Sequence, residues 1–195
     1  MRKFLPWIIV IGVILILFVW IKGINNNAVK LNENIGESWG NVETAYQRRS
    51  DLIPNLVNTV KGVANFEKST LVEVTQARAN ATKVTVDPSN ITPEQFNQFQ
   101  QAQSGVSSAL GRLLVTVEKY PELKANQSFL KLQDELASTE NQILTARTRF
   151  NEAVKPYNNH VKTFPNNLFA GMFGFKEKAY FVADKGASAA PKVNF

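Results

Sequence analysis

The sequence predicts an all-α protein: one N-terminal transmembrane helix, then an up-and-down antiparallel bundle of long amphipathic helices. Three observations carry this. Phe4–Ile21 is a run of eighteen residues without a charge. From Ile24 onward, apolar residues recur at spacings of three and four, which places them on one face of a helix. No alternation of period two persists, so no sheet is expected.

The apolar run reads FLPWIIVIGVILILFVWI. As a helix it is about 27 Å long, close to the ~30 Å hydrocarbon core of a bilayer. Trp7 and Trp20 fall near its ends, where amphipathic rings favour the interface. Arg2, Lys3 and Lys22 flank it and can extend toward water. A cleaved secretory signal would have a shorter apolar run and a small-residue cleavage pattern; FVWIKGIN has none. Residues 1–22 are therefore expected to be a retained anchor, its partner the lipid bilayer through Phe4–Ile21, in a single-pass cell-membrane protein. Arg2, Lys3 and the α-amino group precede the span, and Lys22 and Lys30 follow it. By about one charge this balance puts the bundle on the extracytoplasmic side.

Residues 24–167 are expected to form the bundle. Ile35, Trp39, Val42, Tyr46, Arg49, Ile53, Leu56, Val60 and Val63 keep one helical phase, with Arg49 the only charged member. The phase extends through Val74 to about Ala81. TKVTVDPSNITPEQ then reads as a loop. Thr92, Pro93 and Gln95 at its end form a capping box with proline in the first turn. The following helix carries Phe96, Phe99, Val106, Leu110, Leu113, Val117 and Tyr120, and Pro121 stops it. Asn126 can cap the last helix, whose stripe runs from Phe129 through Leu136, Ile143, Phe150 and Tyr157 to Phe164. Pro156 is expected to kink that helix and Pro165 to end it.

Gln47–Pro54, QRRSDLIP, is ambiguous. Ser50 or Asp51 could cap a new helix with Pro54 in its first turn, giving four helices. The unbroken apolar phase across Arg49 argues instead for one long, kinked helix and a bundle of three. The split is preferred.

The sequence resembles the LemA family at Arg48-Arg49-Ser50-Asp51-Leu52-Ile53-Pro54-Asn55-Leu56-Val57. The likeness continues at Val74-Thr75-Gln76-Ala77-Arg78 and at Glu118-Lys119-Tyr120-Pro121-Glu122-Leu123-Lys124-Ala125-Asn126. Phe150-Asn151, Tyr157-Asn158, Phe164-Pro165 and Gly174-Phe175 follow in order. The resemblance implies a membrane-anchored four-helix bundle, supports the split, and implies no particular activity. Lipoprotein-type N-termini occur among such proteins. This chain departs from that form because it has no cysteine.

Composition narrows the chemistry. Without cysteine there is no disulfide, thiolate nucleophile or zinc-thiolate site. The net charge of +6 is scattered, with no basic run that would point to nucleic acid. His160 is the only histidine, so a two-histidine metal site within one chain is impossible. Carboxylate-bridged metal sites of bundles want Glu-x-x-His motifs, which are absent. Phosphate-cradling glycine loops and G-x-S-x-G are also missing, so no cofactor, small-molecule substrate or catalytic residue is expected. Arg49, Asp51, Glu118, Glu140 and Arg147 read as a polar seam setting helix register. A hydrolase using Glu118 or Glu140 is the remote alternative.

LFAGMFGF, within residues 168–183, concentrates apolar and aromatic side chains after the last helix. Leu168, Phe169, Phe173 and Phe175 read as a cap on the bundle's open end or as a membrane or partner contact. Four up-and-down helices would bring this strip near the lipid; one long first helix in a bundle of three would not. Residues 184–195 are small and polar, the composition of a disordered tail. The expected function is a membrane-tethered scaffold of the cell envelope that self-associates or docks other membrane proteins; a lipid-sensing or remodelling module is the alternative.

Overall fold

The computed structural model describes residues 5–63, 66–88 and 90–182. The expected disordered tail lies outside them. Among the described residues there are six helices and no strand: α1 (Leu5–Lys61), α2 (Lys68–Ala81), α3 (Pro93–Val117), α4 (Pro121–Lys124), α5 (Gln127–Lys162) and α6 (Asn166–Met172).

α1 is one helix of 57 residues, about 85 Å long. The expected break at Gln47–Pro54 is absent, and α1 runs on to Lys61 before the chain reverses into α2. Pro54 removes the N–H that would bond the Ser50 carbonyl. The Arg78 guanidinium on α2 replaces that donor, Nε donating to Ser50 O at 2.8 Å. A proline that would otherwise break the helix is thus tolerated, and the stripe from Ile35 to Val60 stays on one buried face.

The reversal between α1 and α2 still gives four main rods. α1 ascends, α2 descends along it, α3 ascends, and α5 descends antiparallel to α1. Three levels fix the α1–α5 register. His160 meets Ile24, Phe150 meets Trp39, and Glu140 meets Arg49. The caps at Thr92 and Asn126 form as expected. Gln95 N–H donates to Thr92 Oγ1 at 3.2 Å, and Phe129 N–H to Asn126 Oδ1 at 3.1 Å. Phe164 leaves the expected stripe because α5 ends at Lys162, and its ring is 75% exposed.

The core is in two parts. The proximal part, nearer the apolar end of α1, includes Ile35, Trp39, Tyr46, Phe96, Phe99, Phe150, Tyr157 and Phe181. The distal part is mainly aliphatic, including Ile53, Leu56, Val74, Val106, Leu113, Leu123 and Leu136. α2 has only 14 residues and does not reach the proximal level. The chain that fills its place there comes from beyond α6. Gly174, at φ +79°, closes α6, with Phe175 N–H bonded to Ala170 O at 2.9 Å, the 6→1 bond of a Schellman ending. Residues 175–182 then run back along α5 as a strap.

Candidate functional site

Two places gather the polar and apolar groups that no core requirement explains. The first is the waist between the two core parts. Arg49 projects inward from α1 and is 2% exposed. Its Nη1 donates to Glu140 Oε1 at 2.7 Å and Ser107 Oγ at 2.8 Å. Its Nη2 donates to Gln103 Oε1 at 2.8 Å and Gln103 O at 3.2 Å. The guanidinium also lies 5.0 Å from the Tyr46 ring centroid. A buried cation costs several kcal/mol unless its donors are satisfied; here one fork joins α1, α3 and α5. Glu140 is 47% exposed, so its charge stays partly in water.

The five seam residues do not all converge. Arg49 and Glu140 meet. Asp51 is exposed and accepts from Gln47 Nε2 at 2.7 Å. Glu118 pairs with Lys124 at the distal tip, 2.5 Å apart, both exposed. Arg147, two turns from Glu140 on α5, turns to the strap, donating to Val182 O at 2.7 Å and lying 5.0 Å from the Phe181 ring centroid. Gln103 and Ser107 were not expected, because hydroxyl and amide residues on a helix carry no signal until their facing partner is known. An open groove of about 760 Å³ borders the waist between α1, α2 and α3, with Arg48, Arg78, Glu43 and Asp51 on its walls. The charges there are mixed. No cluster of three metal-ligating side chains occurs among the described residues.

The strap is held by two asparagines that the sequence reading left unassigned. Asn151 Nδ2 donates to Phe181 O at 2.9 Å, and Phe181 N–H donates to Asn151 Oδ1 at 2.8 Å. Asn158 treats Lys178 the same way, at 2.8 and 2.9 Å. Seven helical residues span about 10.5 Å. Three strap residues covering that distance must be nearly fully extended. Asparagines spaced by seven beside an apolar stripe are the sequence signal for this. Burial of the Lys178 ammonium pushes its pKa down, opposed by Asp87. Burial also raises the Tyr157 phenol, opposed by a backbone hydrogen bond from Lys176.

The second place is the base of the bundle, where α1 emerges from its apolar segment. Residues 7–20 of α1 are almost wholly exposed, and this is the one helix among those described that is long and apolar enough to cross a membrane. His160 ties α5 to its end. Ile24 O can only accept, so the imidazole Nε2, 2.9 Å away, carries the proton. Nδ1 then accepts from the Asn27 and Asn166 amides, each at 3.2 Å. α6 lies alongside. Phe169 is half-buried edge-on to Trp20, with centroids 5.8 Å apart, and Phe175 is half-buried against the proximal core. Leu168 and Phe173 are exposed. Met172, inside the same strip, and Phe164 just before it are more exposed than either.

The family model described as the LemA family matches residues 38–195, most of the bundle; the core residues Ile24, Ala28 and Ile35 of α1 precede it. The chain belongs to the LemA family. This LemA-family chain is 25% identical to Protein LemA of Metamycoplasma hominis, over 92% of its own length and 77% of that protein's. It is 27% identical to Magnetosome protein MamQ 1 and MamQ 2 of Paramagnetospirillum magneticum, over 80% of its own length. It spans 64% of the length of those two MamQ proteins. Neither the family's name nor those of these relatives describes a reaction. The family assignment and the apolar helix together make this a membrane-associated helical protein.

Proposed function

We propose that this LemA-family chain is a non-enzymatic scaffold. It holds a rigid helical bundle at the surface of the cell membrane, where the bundle self-associates or docks other envelope proteins. The observation that carries this is the continuity of α1, whose apolar segment and core-forming segment are one helix without a linker. A Gly- or Ser-rich linker would let a domain wander from its anchor; an uninterrupted helix instead fixes the bundle's geometry against it, which a scaffold requires. The polar residues support the same reading, since Arg49, Glu140, Asn151 and Asn158 are all engaged in holding helices or the strap. The flanking charges favour the extracytoplasmic side for the bundle.

The chain has no native cysteine, so single cysteines can be placed freely. Val72→Cys on α2 and Val115→Cys on α3 sit on the exposed outer face of the distal half. Bismaleimide crosslinking in native membranes is expected to give adducts of discrete size from at least one of them. Only uncrosslinked monomer from both, together with a monomeric native mass in detergent, would defeat the scaffold reading. Labelling of Leu144→Cys by a membrane-impermeant maleimide in intact cells tests the orientation; protection until lysis would reverse it.

A further inference from the structure

The base of the bundle carries an apolar surface that the core does not use. Phe164, Leu168 and Met172 follow at intervals of four and are 75%, 58% and 79% exposed. Exposed apolar side chains singly are ordinary on a protein surface; a contiguous group of them marks a contact. Phe173 extends the group on the next residue, also exposed. Its opposite side is fixed, with Ala170 buried and Phe169 against Trp20. α6 is therefore not a loose end that could fold away.

Position decides what covers this surface. Trp20 closes the apolar run of α1, and side chains of residues 7–20 are exposed all round the helix. If that run crosses a bilayer, Trp20 lies at the lipid–water boundary. A ring whose centroid is 5.8 Å from Trp20 lies at the same depth. The neighbouring charges agree: Lys22 and Lys176 are exposed around this level, where they would face headgroups, and anionic lipid adds to the attraction; Lys162, also exposed, is paired with Glu177 at 2.8 Å.

We infer that α6 with Phe164 and Phe173 is a lipid-seated collar. Phe164, Leu168, Met172 and Phe173 insert into the interfacial layer of the leaflet that α1 leaves, giving the bundle a second attachment to the membrane beside its anchor. One helix leaves a protein free to rotate about that helix and to tilt; a second, off-axis contact sets both. The inference rests on the reading of α1 as a retained anchor, and the experiment separates the two.

The full-length chain is reconstituted into vesicles of phosphatidylglycerol and phosphatidylcholine, with single nitroxide labels at Leu17→Cys, Leu168→Cys, Met172→Cys and Leu144→Cys. Electron paramagnetic resonance accessibility to oxygen and to a water-soluble nickel chelate gives the depth of each. The expected result is lipid exposure at 17, shallow lipid exposure at 168 and 172, and water exposure at 144. Chelate accessibility at 168 and 172 equal to that at 144, with 17 in lipid, overturns the collar and leaves the anchor. Chelate accessibility at 17 overturns the anchor itself. Labels at 168 and 172 shielded from both reagents, with broadening that fades as protein is diluted in lipid, would assign the surface to a second copy and also overturn the collar.

Discussion

The two halves of the bundle hold the same rods together by different means. The distal half has four helices packed through aliphatic side chains, Leu56, Leu113, Leu123 and Leu136 among them. In the proximal half α2 has ended, and the space is closed by large rings and an extended strap. Trp39 touches Phe96, Phe99, Phe150 and Phe181, with centroids 5.0 to 6.2 Å apart. Where a helix is missing, its volume is made up by aromatics, and its backbone hydrogen bonding by asparagine side chains. The difference teaches that a four-helix section can be completed by a peptide of extended chain, provided polar side chains satisfy that peptide's N–H and C=O groups.

The largest expected break is at Trp39. Trp39→Ala should cost about 4 kcal/mol, and Leu113→Ala in the distal half about 3 kcal/mol, by chemical denaturation in detergent. Only the first should also expose 175–182 to protease, because Phe181 loses its stacking partner. Next comes the waist that joins the halves. Arg49→Ala should cost about 3 kcal/mol, since it leaves a cavity and strands the buried acceptors. Glu140→Gln should cost only about 1 kcal/mol, since the residue is half in water and the amide oxygen still accepts. Equal costs would mean that the ion pair, not the network, matters.

Asn158→Ala should cost about 2 kcal/mol by stranding both backbone groups of Lys178, with faster proteolysis of the strap and an unchanged distal half. In the distal half, Arg78→Ala should cost about 1 kcal/mol because it orphans the Ser50 carbonyl. In a Pro54→Ala background, which restores the helical donor, that cost should fall to a few tenths; no coupling in the double-mutant cycle would refute the compensation. The smallest effect concerns Lys178, whose pKa is depressed below 10.5 by burial. At neutral pH its buried charge opposes folding. As pH rises through the depressed value toward 10.5 the folded state sheds this proton first, so stability rises. Lys178→Met should therefore stabilise the chain at neutral pH, and that gain should vanish above 10.5.

What the sequence made legible follows from periodicity. The stripe from Ile35 to Val60, the loop before Thr92 and both caps are local patterns, and all are where the residues place them; the helix expected to reach Tyr120 ends at Val117, and Pro121 opens α4 instead. The break predicted at Gln47–Pro54 failed because the group that rescues Pro54 is Arg78, twenty-four residues away, on a helix whose facing is invisible in one dimension. The continuing phase through Val63 likewise hid the end of α1 at Lys61. Arg49 and Glu140 were readable as members of a polar seam because each interrupts or borders an apolar stripe, but their pairing across α1 and α5 was not. Arg147 was not, because its partner is an irregular strap. The apolar strip was readable in composition, yet its split into a Trp20-facing side and an exposed side depends on where α6 docks.

A rod without a joint has a mechanical corollary. From Ile21 to Lys61, α1 rises about 60 Å, so leaning it by about 10°, well within the range seen for membrane helices, would carry the far tip sideways by about 10 Å. If α1 crosses a bilayer as proposed, thickening or thinning of the surrounding lipid would be read out, magnified, at Glu118 and Lys124.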